Sequence, residues 1–211
     1  YASRGLGDVY KRQILMLPKK FYENAINHLY QEELGEIITD EKKIFEELQQ
    51  LYAGNPDILS KIRFYENDAI SLGTLYSFET QIQRAISERV WMKSGAYLII
   101  QPTEALTVID VNSGKNTSGK NAEEYYYKIN LEAAAEISRQ LRLRNISGIV
   151  IVDFINMAKE EQRKELMHQF RLSLKEDPVP VRLVDITKLG LVELTRKKER
   201  KTLLEQVAQL R

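Results

Sequence analysis

Two aspartates, Asp110 and Asp153, each follow a short run of aliphatic residues. Such runs predict strands, so both carboxylates stand at strand ends. Two carboxylates brought close together repel each other unless a cation lies between them, and magnesium prefers oxygen ligands of this kind. Asn112 could add a neutral oxygen or orient a water molecule. The pattern indicates a magnesium site, but aspartate after a strand also caps the next turn, and spacing alone does not decide between these roles.

The segment between the two aspartates predicts how they come together. Residues 104–114 and 147–157 both read as a strand followed by a turn. Residues 121–145 carry apolar side chains at three- and four-residue steps, the pattern of an amphipathic helix. A strand–helix–strand order predicts a parallel pair with both aspartates at its carboxyl ends. Because Ile149–Val152 has no polar interruption, we expect this strand to be buried on both faces.

Basic residues form one run near the carboxyl end and also occur singly near predicted turns. A charge run is usually a solvated face, but lysine and arginine also hold phosphate backbones, and both interpretations stay open. The candidate phosphate contacts are Lys115, Lys120, Lys188, Arg196, Lys197 and Lys198. We expect the single tryptophan, Trp91, at a domain junction or in the core rather than against a nucleobase.

The composition excludes several classes of protein. The chain has 211 residues, enough for one large domain or two small ones. Its net charge of +1 requires any basic binding surface to be local. The absence of cysteine excludes disulfides and thiolate metal sites and makes the cytoplasm the default location. No apolar run approaches the roughly 20 residues of a membrane-spanning helix.

Three segments carry a resemblance that is far more specific than this spacing. They read EALTVIDVNSG at residues 104–114, NLEAAAEISRQLRLRNISGIVIVDFINM at residues 130–157 and LGLVELTRK at residues 189–197. In residue identity, order and spacing, these segments closely resemble the ribonuclease E/G family. The resemblance covers roughly residues 34–198 and is densest from residue 90 onward.

The resemblance implies a fold and a domain division. It implies an α/β chain in which part of an RNase-H-like subdomain, residues 14–90, precedes a DNase-I-like α/β catalytic domain, residues 91–211. Residues 1–13 have no counterpart in the family pattern, and we expect them to be a disordered or foreign leader.

The resemblance also implies a function. Asp110 and Asp153 match the two aspartates that bind the catalytic magnesium in the family, and Asn112 matches the asparagine that supports them. The implied activity is magnesium-dependent endonucleolytic cleavage of single-stranded RNA that leaves 5′-phosphate ends, in rRNA processing and RNA decay. A homodimer is compatible with the resemblance.

Some features depart from the family pattern. Asn156 stands where the family has an aspartate, and Asp177–Pro180 stands where it tends to place an arginine, for which Arg182 is a candidate substitute. The OB-fold insert, part of the 5′-monophosphate pocket, the paired-cysteine zinc link and the small carboxyl-terminal domain have no counterpart. We therefore expect a central fragment with weak nuclease activity. The alternative is an RNA-binding or assembly module that kept the fold and lost turnover.

Overall fold

The computed structural model describes Tyr22, Ile26, residues 34–114 and residues 122–209. The predicted leader, residues 1–13, and two predicted phosphate contacts, Lys115 and Lys120, lie outside the described residues.

The chain divides into two compact units between Tyr76 and Ser77. The sequence predicted a division after residue 90 instead. The two divisions differ in where they place residues 77–90. The helix Phe78–Ile86 lies in this stretch and packs against the long helix of the second unit, so it belongs to that unit.

The first unit is built around a short parallel strand pair. Its described elements are β1 (Ile37–Thr39), α1 (Lys42–Leu51), α2 (Pro56–Leu59), β2 (Ile62–Phe64) and α3 (Leu72–Leu75). β1 and β2 pair in parallel, in register from Ile37 opposite Ile62. The apolar side chains of Leu48, Ile58 and Ile62 form its core. The Asn55 side chain accepts a hydrogen bond from the Ile58 N–H and so caps the start of α2.

The second unit contains a six-stranded sheet. Its elements are α4 (Phe78–Ile86), β3 (Arg89–Trp91), β4 (Tyr97–Pro102), β5 (Leu106–Asn112), α5 (Ala122–Arg144), β6 (Gly148–Asp153), α6 (Glu160–Leu174), β7 (Val181–Ile186), β8 (Val192–Arg196) and α7 (Leu203–Gln209). The strand order is β3-β4-β5-β6-β8-β7, and β5 with β6 is the one parallel pair in this sheet. The predicted strand–helix–strand unit with parallel strands is therefore confirmed.

Helices α5 and α6 pack on one face of this sheet. Ile109 and Val152 are completely buried in one core cluster with Ile137 of α5 and Phe170 of α6. Side chains alternate along a strand, so the neighbours of these residues point to the opposite face. Ile149 on that face is 48% exposed. The expectation that the β6 strand is buried on both faces is therefore wrong, because a short apolar run does not show how many faces are covered.

We call this second face of the sheet the open face. It carries the side chains of Arg89, Trp91, Tyr97, Ile99, Val108, Asp110, Asn112, Ile149, Ile151 and Asp153. Among the described residues, no helix combines the length and apolar character that crossing a membrane requires.

Arg196, one of the predicted phosphate contacts, is a buried structural residue instead. Its guanidinium donates to both carboxylate oxygens of Asp177, at 2.8 and 3.1 Å, and the two side chains are only 3% and 1% exposed. It also donates to the Asn145 side-chain oxygen at 2.8 Å and the Ile146 carbonyl at 3.1 Å. Strand alternation explains this burial, because Arg196 lies on the same face as the buried Leu194. No surface of Arg196 is left for a phosphate.

Replacing Arg196 with methionine should lower the free energy of unfolding by about 3–5 kcal/mol, because the Asp177 carboxylate would stay buried without its partner. Lys197→Met is the matched control, since its side chain is 64% exposed and we expect a change within about 0.5 kcal/mol. Urea unfolding of both variants measures the difference. A loss below about 1 kcal/mol for Arg196→Met would show that this buried pair does not form.

Candidate metal centre

Asp110 and Asp153 lie next to each other at the carboxyl ends of β5 and β6. Both strands run in the same direction, and the register pairs Asp110 directly with Asp153. Hydrogen-bonded strands lie about 4.8 Å apart, so the two backbones are one strand spacing from each other. Both side chains belong to the exposed open face. The structure therefore brings together the two aspartates that the sequence predicted to lie together.

Asn112 orients one of these carboxylates. Its side-chain Nδ2 donates a hydrogen bond of 2.7 Å to Oδ2 of Asp110. The two residues are separated by one position on β5, so alternation puts both side chains on the open face. This hydrogen bond restrains the orientation of the Asp110 carboxylate.

Buried contacts fix the segment that carries Asp153. The preceding Val152 is completely buried, and the following Phe154 packs its ring edge-on against Phe170, with centroids 5.7 Å apart. Asn130 of α5, which is also completely buried, holds the backbone of Ile155 at both polar atoms. Its Nδ2 donates to the Ile155 carbonyl at 2.7 Å, and the Ile155 N–H donates to its Oδ1 at 3.0 Å.

The loop after β5 is held by a close backbone contact. Gly114 has a φ of +69°, a conformation that favours glycine. A Cβ at this position would lie 2.3 Å from the carbonyl oxygen of Gly95 in the β3–β4 turn. The Tyr125 hydroxyl of α5 donates to the Ser113 carbonyl at 3.4 Å. The loop that follows Asp110 and Asn112 is therefore packed directly against the neighbouring hairpin.

A pocket of about 530 Å³ lies just beyond the end of β6. Its walls are the segment from Phe154 to Met157, the first part of α6 and the β7–β8 turn. Lys188 lies in that turn, and the register of Val152 with Val192 puts the turn at the same end of the sheet as Asp153. The pocket is thus a recess at the same end of the sheet as Asp153, although neither Asp110 nor Asp153 lines it.

The other cations of the predicted basic run lie elsewhere. β8 is antiparallel to β6, so Arg196 pairs with Gly148, at the end of β6 opposite Asp153. Lys197 and Lys198 follow at that far end, about five strand residues or roughly 17 Å from Asp153. Lys197 forms an exposed ion pair of 3.3 Å with Glu199. Of the predicted phosphate contacts in the described part of the chain, Lys188 is the one at the aspartate end of the sheet.

The chemistry of the donor set fits magnesium. The described residues contain no group of three or more histidine, aspartate or glutamate side chains that could hold a metal ion. Magnesium needs no such cage, because it keeps several water ligands and is commonly held by one or two carboxylates. Asp110 and Asp153 can supply these carboxylates, with Asn112 beside them.

A family model supplies the assignment that geometry alone does not. The model described as the ribonuclease E/G family matches residues 6–199. The chain belongs to the ribonuclease E/G family. The resemblance found in the three sequence segments is thus confirmed.

Curated members of the ribonuclease E/G family are similar over most of this chain. Ribonuclease G of Salmonella typhimurium is 39% identical over 171 residues, which are 81% of this chain and 35% of the relative. Ribonuclease E of Escherichia coli K12 is 37% identical over 176 residues, 82% of this chain and 16% of the relative. Ribonuclease E of Synechocystis sp. is 37% identical over 194 residues, 90% of this chain and 28% of the relative. The chain therefore spans about a third or less of the length of these relatives.

Asn130 is a site residue that the sequence analysis missed. It falls in the helical run at positions that also include the buried Ala134, Ile137 and Leu141. The available signal was an asparagine in line with these apolar positions, because a buried amide needs hydrogen-bond partners.

Replacing Asn130 with leucine should weaken magnesium binding about 10-fold or more, because loosening a group that supports metal ligands has effects of this size. We also expect a loss of about 1–3 kcal/mol in unfolding free energy from the unpaired Ile155 backbone. Ser138→Ala is the control, since Ser138 is buried on the same helix but donates to Ala134 within it. Calorimetric titration with magnesium measures the first effect. Unchanged magnesium affinity in a destabilised Asn130→Leu protein would assign Asn130 to the core alone.

Proposed function

We propose that the second unit carries the magnesium-dependent catalytic centre of an endoribonuclease that cleaves single-stranded RNA. The observation that carries the proposal is the parallel register that sets Asp110 beside Asp153. Its support is the family assignment, whose curated members are named ribonucleases. In this proposal the second unit is DNase-I-like, and the first is part of an RNase-H-like subdomain.

Each residue of the site has a role that its geometry supports. Asp110 and Asp153 would hold the ion, and the Asn112 hydrogen bond would keep the Asp110 carboxylate turned toward it. A bound magnesium ion would supply positive charge at the scissile phosphate and lower the pKa of a water molecule. Lys188, beside the pocket, would hold a neighbouring phosphate as a point charge.

The proposed reaction is hydrolysis of one phosphodiester bond. A water oxygen forms a bond to phosphorus, and the bond from phosphorus to the 3′ oxygen breaks. The 3′ oxygen takes a proton and leaves as a hydroxyl, while the downstream fragment keeps the 5′-phosphate. We extend the proposal to a cytoplasmic homodimer that acts in rRNA processing and RNA decay. The absence of cysteine agrees with a reducing compartment.

Asp110→Asn and Asp153→Asn should each reduce cleavage of a short fluorescent single-stranded RNA by at least about 100-fold. A neutral amide holds the metal ion less well, and the charge stabilisation that the ion would give the transition state is worth several kcal/mol. About 1.36 kcal/mol of this stabilisation corresponds to a tenfold change in rate. Asp185→Asn is the matched control, because Asp185 lies on β7, two strands from β6, and an asparagine keeps its acceptor for the Ile186 N–H. All three variants should unfold at the same temperature as the unmodified chain.

The outcome of this experiment also separates the competing function. Full cleavage by Asp110→Asn at low magnesium would contradict the metal assignment. Binding of RNA by the unmodified chain without any magnesium-dependent cleavage would instead support the RNA-binding or assembly module.

Lys188→Gln should raise the KM for RNA and reduce by about one the slope of log affinity against log salt concentration, because one phosphate contact is lost. Lys197→Gln is the matched control, because Lys197 lies at the opposite end of the sheet. Cleavage rates at several salt concentrations measure both effects. Equal salt slopes for Lys188→Gln and the unmodified chain would remove Lys188 from the phosphate contacts.

A further inference from the structure

Three side chains on the open face form an exposed aromatic cluster, which we call the aromatic platform: Arg89, Trp91 and Tyr97. Trp91 and Tyr97 lie opposite each other on β3 and β4, with ring centroids 5.0 Å apart and planes tilted by 58°. The Arg89 guanidinium lies 4.7 Å from the Tyr97 centroid and 5.6 Å from the Trp91 centroid. Both distances are within the range of cation–π attraction.

The sequence predicted Trp91 at a domain junction or in the core, but Trp91 is 62% exposed and so does not lie in the core. Strand alternation explains the exposure, because its neighbour Val90 points into the core and Trp91 must point the other way. The indole contacts Tyr97 and Arg89 and still keeps most of its surface exposed. An exposed aromatic ring of this kind is suited to stacking against a flat ligand.

The aromatic platform is continuous with the metal centre. Trp91 pairs with Tyr97, and Tyr97 pairs with Asn112, so the three residues form one row across neighbouring strands. Two strand spacings, about 10 Å, separate the backbones of Trp91 and Asn112. The hairpin that carries the aromatic platform is held in place by the close contact of Gly95 with Gly114 and by the bond from the Ser94 N–H to Glu132.

Two cations lie at the aromatic platform and in the adjoining turn. Arg89 belongs to the aromatic platform, and the exposed Lys93 follows in the hairpin turn. An RNA strand offers an aromatic base for the ring and a phosphate for each of these cations. We propose that the aromatic platform stacks on an unpaired nucleobase of the RNA whose scissile phosphate lies at Asp110 and Asp153. This inference rests on the proposed function and gives it a reason to select single strands, because a paired base has no free face.

The single tryptophan of the chain provides a direct test. The probe is an oligoadenylate, added to Asp110→Asn protein in EDTA so that no cleavage occurs. We expect the Trp91 emission to be quenched, with a midpoint that matches the fluorescence anisotropy of the same RNA carrying a label. Oligouridylate annealed to the oligoadenylate, and an abasic oligonucleotide of equal length, should leave the emission unchanged. Unchanged emission when anisotropy shows saturation would overturn the proposal.

Variants of the aromatic platform test the same inference through affinity. Trp91→Ala should weaken binding of the oligoadenylate about fivefold to a hundredfold, the range for removing one ring beneath a base. Trp91→Phe should keep most of the affinity. Leu172→Ala is the matched control, because Leu172 is 41% exposed but lies on α6 and not on the open face. Circular dichroism melting confirms that each variant is folded.

Further readouts separate this inference from the proposed function. Trp91→Ala should leave magnesium affinity unchanged and raise KM more than it lowers kcat. If the chain proves not to cleave RNA, the quenching and the affinity loss still report on the aromatic platform alone. Equal RNA affinities for Trp91→Ala and Leu172→Ala would overturn the inference. A Trp91 emission that shifts with protein concentration in the absence of RNA would also overturn it, by assigning this face to contact between copies of the chain.

Discussion

The parallel pairing of β5 with β6 is the constraint on which the second unit depends. In an antiparallel pair, the carboxyl ends of neighbouring strands lie at opposite edges of the sheet. In this sheet only β5 and β6 are parallel neighbours, so their carboxyl ends lie at the same end of the sheet and Asp110 pairs with Asp153 there. The cost is a long connection, which the 23 residues of α5 provide. The same helix supplies Asn130, so the element that permits the pairing also fixes the segment after Asp153.

The one-sided packing of the sheet separates stability from chemistry. One face of the sheet packs with α5 and α6 in a single core cluster. Truncating the completely buried side chains on this face would lower the free energy of unfolding. The open face carries the two aspartates, Asn112 and the aromatic platform. Adjacent residues on one strand therefore have different surroundings, as Ile109 in the core and the exposed Asp110 at the candidate metal centre illustrate.

Sequence periodicity predicted the elements of the candidate metal centre because strand ends and a long amphipathic helix have strong local patterns. It did not predict which faces are covered, since Ile149 reads as a core residue until its neighbours in space are known. The basic run around Arg196 indicates a surface cation, whereas its alternation with Val192 and Leu194 indicates a buried position. The contacts of Asn130 and Gly114 join residues distant in sequence, and no local pattern encodes them.

The close approach of Gly114 to Gly95 limits which changes the β3–β4 hairpin can accept. The β3–β4 turn and the loop after β5 meet at a point where a methyl group would not fit. A displacement of one loop would therefore displace the other. A longer or re-shaped β3–β4 hairpin would displace the segment that follows Asn112, even if the hairpin itself contacted no ligand. Designers who graft a new hairpin here would have to preserve the position of a single carbonyl oxygen. Tolerance to insertion in this part of the fold is therefore set by a backbone contact and not by solvent exposure.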